Sequence, residues 1–258
     1  MFRRTIQDVL SAERLKSYTN MEEHFRNLQL IAKITPHLAT IEICLRNILD
    51  IEMKKKNQDW IRQPLDESEE DKKVAMILEY AKIEVEKREK KGKRVETDDE
   101  GLKHSQYLSR FSFGTIIHII KESKLQSEML DLSSIDFNKY DKSNTNNAYL
   151  EQKRNIENLN AHKVDVVLNL LQTTRNRCYH WENILKVRYG KRKGVFPRIT
   201  TWLRGVKIGL NPMQIEVFLE DLLETIHPEL NTRVQEPRKS KKRSKEIKEA
   251  DPSAGPER

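Results

Sequence analysis

The sequence predicts an all-α fold, and three observations support that prediction. Glycine and proline, the residues that most often interrupt helices, occur only eight times each among 258 residues. Runs in which β-branched and polar residues alternate, as they do in half-buried strands, are scarce. Apolar residues recur instead three and four positions apart, which places them on one face of a helix. A chain of this length can bury a sizeable core and is long enough for one sizeable domain or two small ones. We expect a single helical domain over residues 1–230.

The first two long helices are expected on either side of a proline. Residues 20–34 carry an apolar stripe that is typical of a helix. Thr35-Pro36 is expected to end that helix, because proline disfavours helical geometry at the preceding residue and fits the first turn of a new helix. The second helix then contains HLATIEICLRNILDIEMKKK, in which Glu42 and Arg46 lie four positions apart and can form an ion pair.

The middle of the chain alternates between charged and apolar segments. Residues 66–91 predict a long, highly charged helix with a narrow apolar stripe, and residues 90–101 predict a solvated loop. The segment FSFGTIIHIIKES predicts a short buried helix that begins near Ser112. Residues 125–147 are rich in turn-forming residues and predict irregular structure.

Two further helices are expected in the C-terminal half. Helicity is expected to resume at Ala148, and the most apolar helix is predicted in HKVDVVLNLLQTTRNRCYHWENILKV. The next segment, RYGKRKGVFPRITTWLRGVKIGLNP, combines glycines, prolines and basic residues and predicts a loop or an irregular arm. A last helix is expected after Asn211, which can cap it, with Pro212 in its first turn and Gln214 three residues after the cap.

Basic residues exceed acidic residues, and the excess is concentrated at the C-terminus. The net charge is +8 and the isoelectric point is near 9.3, so polyanions are plausible partners. Residues 231–258 hold nine basic and five acidic residues and no aromatic residue, a composition that predicts a disordered basic tail. Such a tail most often increases solubility or binds polyanions nonspecifically.

The sequence disfavours several classes of protein. The two cysteines, Cys44 and Cys178, lie far apart, so a reduced cytoplasmic protein is expected. No apolar run approaches the roughly 20 residues that span a bilayer, and the N-terminus lacks the apolar region of a secretory signal. The seven histidines have no metal-binding spacing such as HExxH, and no glycine-rich phosphate loop occurs. Neither a metal nor another cofactor is therefore expected.

The stretch TTRNRCYHWENIL, residues 173–185, combines residue types that suit RNA cleavage without a metal. Histidine gives and takes protons near neutral pH, so His180 is a candidate acid–base group. The guanidinium of Arg175 matches the oxygens of a phosphate and can stabilise the charge that builds on phosphorus. RNA supplies its own nucleophile, the 2′-hydroxyl. The alternative is that His180, beside Trp181, is an ordinary packing or surface residue.

The spacing of these residues permits a catalytic site but does not require one. Asn176 and His180 are four positions apart and share a helix face, whereas Arg175 and His180 are about 140° apart around an ideal helix. Either the long arginine side chain swings towards that face, or the helix bends near Thr173-Thr174, where hydroxyl groups compete for backbone hydrogen bonds.

Three segments of the chain together resemble one protein family. RNRCYH resembles the R-x4-H motif of HEPN-domain ribonucleases, with Arg175, Asn176 and His180 at the three motif positions. IEICLRNILD resembles the E-x-x-L-R-N helix of the Abi-like branch (AbiD/AbiF type) of that superfamily, and FSFGTI resembles its short FG segment. The segments occur in the family's order, and the resemblance covers about residues 20–226. The chain differs in having aromatic residues on both sides of the histidine, where the branch often has a second histidine or a small residue.

The resemblance implies a HEPN-like helical bundle with a four-helix core and additional helices. Two protomers would join their motifs across a two-fold interface to form one RNA cleft. His180 would transfer protons, Arg175 would bind phosphate and stabilise charge, and Asn176 would orient the reacting groups. Three residues of the upstream segment would support this constellation: Glu42, Arg46 and Asn47. For Glu42 and Arg46, an ordinary ion pair between packed helices is an equal alternative.

Basic residues in and after the motif are expected to bind RNA. The segment RYGKRKGVFPR and the residues after it interleave cations with Tyr189, Phe196 and Trp202, which could hold phosphates and stack on unpaired bases. The alternative is a solvated loop whose aromatic side chains are buried in the core. The predicted RNA-binding residues are Arg177, Arg188, Lys191, Arg192, Lys193 and Arg198.

With this resemblance, the sequence predicts a metal-independent endoribonuclease of the abortive-infection or toxin type. It is expected to act as a cytoplasmic homodimer on single-stranded cellular or phage RNA. An antitoxin or another regulatory protein is a further candidate partner, and no membrane is expected. A non-catalytic HEPN-type RNA-binding or regulatory protein is the first alternative, and a helical protein-interaction module is the second.

Overall fold

The computed structural model describes residues 4–92, 102–144, 156–189, 195–203 and 205–235. This part of the chain is mainly helical, as predicted. Its α-helices are α1 (Ile6–Leu10), α2 (Ala12–Leu15), α3 (Met21–Lys54), α4 (Glu69–Gly92), α5 (His104–Arg110), α6 (Phe113–Glu122), α7 (Gln126–Met129), α8 (Ile156–Tyr179), α9 (Ile215–Ile226) and α10 (Pro228–Gln235). The fold is not made of helices alone, since it also has the strands β1 (Val187–Tyr189), β2 (Val195–Pro197), β3 (Ile199–Leu203) and β4 (Val206–Leu210).

Helix α3 runs without interruption through Pro36, so the predicted break at Thr35-Pro36 is wrong. Asn20 caps the helix, because its side chain accepts a hydrogen bond from Glu23 N–H at 2.8 Å. A proline inside a helix removes one hydrogen bond and costs about 3 kcal/mol. Pro36 lies on the exposed side, whereas the apolar residues before and after it share one buried face, and burial of that face offsets the cost. The buried residues are Ile31, Ile34, Leu38, Ile41, Leu45 and Leu49.

Helix α3 is also long and apolar enough, by length and composition alone, to cross a membrane. One such helix alone is weak evidence, so it does not contradict the expectation that no apolar run is long enough to span a bilayer. The core helix of a soluble protein can have the same length and composition, and the apolar stripe of α3 belongs to the hydrophobic core. This helix is therefore weak support for a membrane span and is compatible with a soluble protein.

Helices α4 and α6 begin and end close to their predicted bounds. Helix α4 is the charged helix expected over residues 66–91, and its narrow apolar stripe packs against α6. Helix α6 is the buried apolar helix expected near Ser112. The hydroxyl of Ser112 caps α6 by accepting a hydrogen bond from Thr115 N–H at 3.0 Å.

The segment that follows α6 is more ordered than predicted. Residues 125–144 contain α7 and a 3-10 turn at Phe137–Lys139. Apolar residues along this segment belong to the core, among them Leu132, Ile135, Phe137 and Tyr140. The loop was predicted over residues 90–101, but residues 90–92 belong to α4, and residues 93–101 lie outside the described residues. Residues 145–155, where helicity was expected to resume at Ala148, also lie outside them.

Helix α8 is the central helix, and it is buried on more than one side. It packs against α3, α6 and α7 and also against strands β3 and β4. Val166 and Leu170 are buried in addition to the predicted core residues, because the strands cover a second side of the helix. The predicted core residues are Val164, Val167, Leu168 and Leu171, and all four are buried. The helix ends at Tyr179, several residues before its predicted end.

The segment predicted as a loop or arm forms two antiparallel pairs of strands. β1 pairs with β2, and β3 pairs with β4, with Ile199 opposite Leu210 and Leu203 opposite Val206. Buried residues in β3 alternate with less buried ones, in the two-residue period of a half-buried strand. Gly205 has a φ of 83° in the turn between β3 and β4, a conformation that glycine adopts without strain. The all-α prediction is wrong here because glycines and basic residues obscured this short alternation.

The last helical segment begins at the predicted cap, but its first turn is a 3-10 turn, and a second helix that was not predicted follows it. The side chain of Asn211 accepts a hydrogen bond from Met213 N–H at 3.0 Å, and a 3-10 turn at Pro212–Gln214 leads into α9. Helix α9 packs on α3, and α10 packs on both. Helix α10 includes residues 231–235, which were assigned to the disordered tail, and residues 236–258 lie outside the described residues.

Candidate functional site

The predicted motif residues lie at the C-terminal end of α8, where the chain turns sharply. Trp181 N–H donates to Cys178 O at 3.0 Å, and Glu182 N–H donates to Arg177 O at 2.9 Å, which is the hydrogen-bond pattern of a Schellman turn. Trp181 has a φ of 54°, the left-handed conformation that this turn requires. Glycine usually occupies that position, and a residue with a side chain costs about 1 kcal/mol there. The turn is therefore strained and needs contacts from elsewhere to hold it.

Contacts from the N-terminal helices hold this turn in place. Nη1 of Arg14 donates to the carbonyl of Trp181 at 3.0 Å. Asn27, fully buried in α3, donates its Nδ2 to the carbonyl of Glu182 at 3.1 Å. The side-chain oxygen of Asn27 accepts a hydrogen bond from Ile184 N–H at 2.8 Å. The backbone after the motif is thus fixed by residues 155 to 167 positions away in the sequence.

Glu182 binds two of the predicted RNA-binding arginines. Its carboxylate forms ion pairs with Arg177 and Arg198. Burial alone would raise the pKa of Glu182, but the hydrogen bond from Arg198 and the charges of both arginines lower that pKa. The two arginine side chains are each only 21% exposed. Because Glu182 neutralises part of their charge, they present less positive potential to RNA than their number suggests.

Three segments singled out in the sequence meet at one ion-pair network. Arg46 donates Nη2 to Glu42 Oε1 at 3.2 Å and to the carbonyl of Phe111, the first residue of FSFGTI, at 3.3 Å. Arg175 donates Nε to the other carboxylate oxygen, Glu42 Oε2, at 3.2 Å. The Glu42 side chain is 14% exposed, so water screens these pairs only in part. The predicted Glu42–Arg46 pair is confirmed, and Glu42 connects it to Arg175 across 133 positions of sequence.

The guanidinium of Arg175 keeps a donor that no described residue accepts. Its Cζ lies 4.6 Å from the ring centroid of Tyr179, a cation–π contact. Nη1 lies 3.3 Å from Oδ1 of the exposed Asn176, and Nη2 makes no hydrogen bond to the described residues. Asn47 is exposed on α3 and takes no part in the network around Glu42.

His180 is exposed just past the end of α8, in a different setting from Arg175. No hydrogen bond or ion pair joins the two side chains, both of which lie in the described part of the chain. The hydroxyl of Thr174 bonds to the carbonyl of Leu170 at 2.8 Å, as expected at that position. Within one chain, Arg175 is thus bound to Glu42 on α3, whereas His180 lines a groove. That groove has a volume of about 280 Å³ and is also lined by Arg14, Tyr18, Trp181 and Arg198.

The other predicted RNA-binding residues lie on and beside the paired strands. Arg188 and Tyr189 are exposed on β1, and Trp202 is exposed on β3. Nζ of Lys207 lies 3.2 Å from the ring centroid of Phe196 and so adds a cation next to these rings. The rings of Tyr189 and Trp202 are not buried in the core, contrary to the alternative reading of this segment. Lys191, Arg192 and Lys193 lie outside the described residues.

Asn27 and Glu182 were not predicted as site residues. A signal for Asn27 was present, because a polar residue on an apolar stripe is usually buried with hydrogen-bond partners. The stripe of α3 on which Asn27 lies continues through Ile31, Ile34 and Leu38. Glu182 carries no comparable signal, because its partner Arg198 follows a strand that was not predicted.

Replacing Asn27 by alanine is expected to lower the free energy of unfolding by about 3 kcal/mol. The substitution removes the partners of two backbone groups in the turn after the motif and leaves a cavity. Urea denaturation measures the change. Asn47→Ala, at an exposed position of the same helix, is the control and is expected to change stability by less than about 0.5 kcal/mol. A loss for Asn27→Ala no larger than the control's would contradict the role given to Asn27.

The function of this chain has to be inferred from its own sequence and geometry. No family model, no curated protein and no solved structure matches the chain. Its most specific features are the network around Glu42 and the strained turn that follows His180.

Proposed function

We propose that this chain is a metal-independent endoribonuclease of the Abi-like branch of the HEPN superfamily, with a HEPN-like helical bundle. The observation that carries the proposal is the network at Glu42, which binds Arg46 and Arg175 while Arg46 reaches the backbone of Phe111. The three segments are far apart in sequence and resemble the family in the same order. If the resemblance of each segment were accidental, residues of all three segments would meet at one network of ion pairs and hydrogen bonds only by coincidence.

The motif residues suit attack of the 2′-hydroxyl of RNA on the adjacent phosphorus. His180 takes the proton of the 2′-hydroxyl or delivers one to the departing 5′-oxygen, as imidazole can near neutral pH. Arg175 keeps Nε on Glu42 and donates Nη2 to a phosphate oxygen as charge builds on phosphorus. Asn176, exposed beside Arg175, orients the phosphate. The reaction leaves a 2′,3′-cyclic phosphate and a 5′-hydroxyl and needs no metal or other cofactor.

A second copy of the chain completes the proposed site. Because no hydrogen bond joins Arg175 to His180 within one chain, two motifs that face each other across a two-fold axis could bring the arginine of one copy near the histidine of the other. Apolar side chains next in sequence to Glu42 and to His180 are exposed, and a homodimer interface would bury them. They are Ile43, Tyr179 and Trp181.

RNA reaches the site over a surface of cations and exposed aromatic rings. Arg14 lines the groove beside His180, and Tyr189 and Trp202 are exposed on the strands. Cations hold the backbone and rings stack on unpaired bases, a combination that favours single-stranded RNA. Such an enzyme acts in the cytoplasm as an abortive-infection or toxin factor on cellular or phage RNA. An antitoxin or regulatory protein would restrain it.

Incubation of the purified protein with an unstructured RNA in excess EDTA tests the proposal. Cleavage is expected to persist, because no metal takes part in the chemistry. The fragments are expected to end in 2′,3′-cyclic phosphates and to begin with 5′-hydroxyl groups, and mass spectrometry identifies both ends. Fragments with 3′-hydroxyl and 5′-phosphate ends, or no fragments, would exclude this mechanism.

A non-catalytic HEPN-type RNA-binding or regulatory protein is the second candidate function. The different partners of Arg175 and His180 within one chain favour it, because Arg175 binds Glu42 while His180 lines the groove and shares no hydrogen bond with that arginine. RNA binding that weakens steeply with salt, without any fragments, would support this candidate. Neither binding nor cleavage at low salt would favour a protein-interaction module instead.

A further inference from the structure

A cluster of metal-ligand side chains lies where α3 meets α9. His37 comes from α3, and Glu216 and Glu220 come from successive turns of α9. One imidazole nitrogen and one oxygen from each carboxylate all lie within 4.8 Å of one another. His37 precedes Glu42 by five residues and is therefore about 140° from it around α3. The cluster thus occupies a different face of α3 from the network that holds Arg175.

The environment of His37 indicates a missing partner. Its side chain is only 4% exposed, and neither ring nitrogen has a hydrogen-bond partner among the described residues. Buried polar groups are nearly always satisfied by protein, water or an ion. An imidazole that is buried, unpartnered and within reach of two carboxylates has the surroundings of a metal ligand.

Two neighbouring side chains engage the carboxylates but leave oxygens for a metal. Nζ of Lys33 lies 2.6 Å from Glu216 Oε2, and Nε2 of Gln235 donates to Glu220 Oε1 at 2.6 Å. Each carboxylate keeps its second oxygen. A neutral imidazole, two carboxylates and one ammonium carry a net negative charge, which favours a cation. Because Gln235 belongs to α10, an ion at this place would connect α3 and α9 directly and α10 through Glu220.

We propose that His37, Glu216 and Glu220 bind one divalent transition-metal ion, for which Zn²⁺ and Mn²⁺ are the probes. One imidazole nitrogen and two carboxylate oxygens form the mixed ligand set that such ions accept. Bonds of about 2.0–2.2 Å require ligand atoms roughly 3.0–3.5 Å apart, so the side chains close by a small rotation of the glutamates. The ion has a structural role, because it joins helices and lies on another face from the RNA chemistry. This proposal does not depend on the ribonuclease proposal.

Isothermal titration calorimetry tests the site in the full chain, first stripped with EDTA and then dialysed. Zn²⁺ and Mn²⁺, titrated separately, are each expected to bind at one ion per chain. An ion at 100 times its Kd is expected to raise Tm by about 5 °C or more. Glu220→Gln is expected to weaken binding at least about tenfold. Glu224→Gln, an exposed residue one turn further along α9, is the matched control and is expected to leave Kd unchanged.

A second variant keeps the test independent of folding. His37→Ala removes a buried side chain and could itself destabilise the chain, whereas Lys33 is largely exposed. Lys33→Met removes the ammonium that competes for Glu216 and is expected to lower the Kd at least about threefold. The proposal is overturned if millimolar metal gives neither heat nor a shift in Tm. It is equally overturned if Glu220→Gln binds as tightly as the unchanged chain, since the ion would then lie elsewhere.

Discussion

Replacement of His180 by alanine is expected to slow RNA cleavage by about a thousandfold, within the range that a positioned acid–base group contributes. The proposed reaction removes a proton from the 2′-hydroxyl and returns one to the 5′-oxygen, and His180 is the side chain assigned to that transfer. Its ring is exposed and makes no hydrogen bond to the described residues. The free energy of unfolding is therefore expected to change by less than about 0.5 kcal/mol. Single-turnover cleavage of an end-labelled RNA in EDTA measures the rate.

His118→Ala is the matched control for this prediction. His118 is an exposed histidine on α6, and its Nε2 lies 3.9 Å from Glu122 Oε1. The control is expected to cleave RNA at the unchanged rate. Equal rates for His180→Ala and the unchanged chain would remove His180 from the mechanism. Expression offers a parallel test, because the active chain should be toxic and His180→Ala tolerated, whereas toxicity of both would indicate a cause other than catalysis.

Helix ends were predictable from the sequence where they depend on a few adjacent residues. Helix α6 begins next to Ser112, as predicted, and Asn211 caps the 3-10 turn that leads into α9, because a cap involves only the first turn. Pro36 did not end α3, because a single missing hydrogen bond weighs less than the burial of one continuous apolar face. Strands β3 and β4 were missed because each is only five residues long, too short for alternation to stand out.

The candidate site was predictable only where its members are close in sequence. The pairing of Glu42 with Arg46 follows from a spacing of one helical turn. That the same carboxylate also binds Arg175 depends on how α3 packs against α8, which no local pattern encodes. The grouping of His37 with Glu216 and Glu220 had the same limit. His37 and the two glutamates lie on helices far apart in the chain, so their grouping forms no motif.

Arg175→Lys is expected to lower kcat/KM by about 100-fold, although it keeps the positive charge. Arginine can hold Glu42 through Nε and still offer Nη2 to a phosphate oxygen, because its donors point in fixed, separate directions. A lysine ammonium is a single point, so it can remain on the carboxylate or reach the phosphate but does both poorly. The loss therefore measures the geometry of the guanidinium rather than its charge. The same single-turnover assay, run over a range of protein concentrations, gives the value.

Glu42→Gln is expected to lower kcat/KM by about tenfold, the usual effect of removing a group that orients another. Glu42 is a positioning residue in this mechanism, because both of its oxygens face arginines and neither is assigned to RNA. If Glu42 acts only through Arg175, the double variant Arg175→Lys/Glu42→Gln should be no less active than Arg175→Lys alone. A merely structural role would instead lower the free energy of unfolding without such coupling.

A second arginine–glutamate pair supplies the control for this cycle. Arg88 lies 3.3 Å from Glu84 on α4, nearly the distance between Arg175 and Glu42. In this pair, however, the arginine and the glutamate are both exposed. Arg88→Lys and Glu84→Gln are therefore expected to leave kcat/KM unchanged, since exposed pairs contribute little. If the losses in the Glu42 cycle instead multiplied to about a thousandfold in the double variant, Glu42 and Arg175 would act independently. An ordinary ion pair between packed helices would then describe Glu42 better than a role in positioning Arg175.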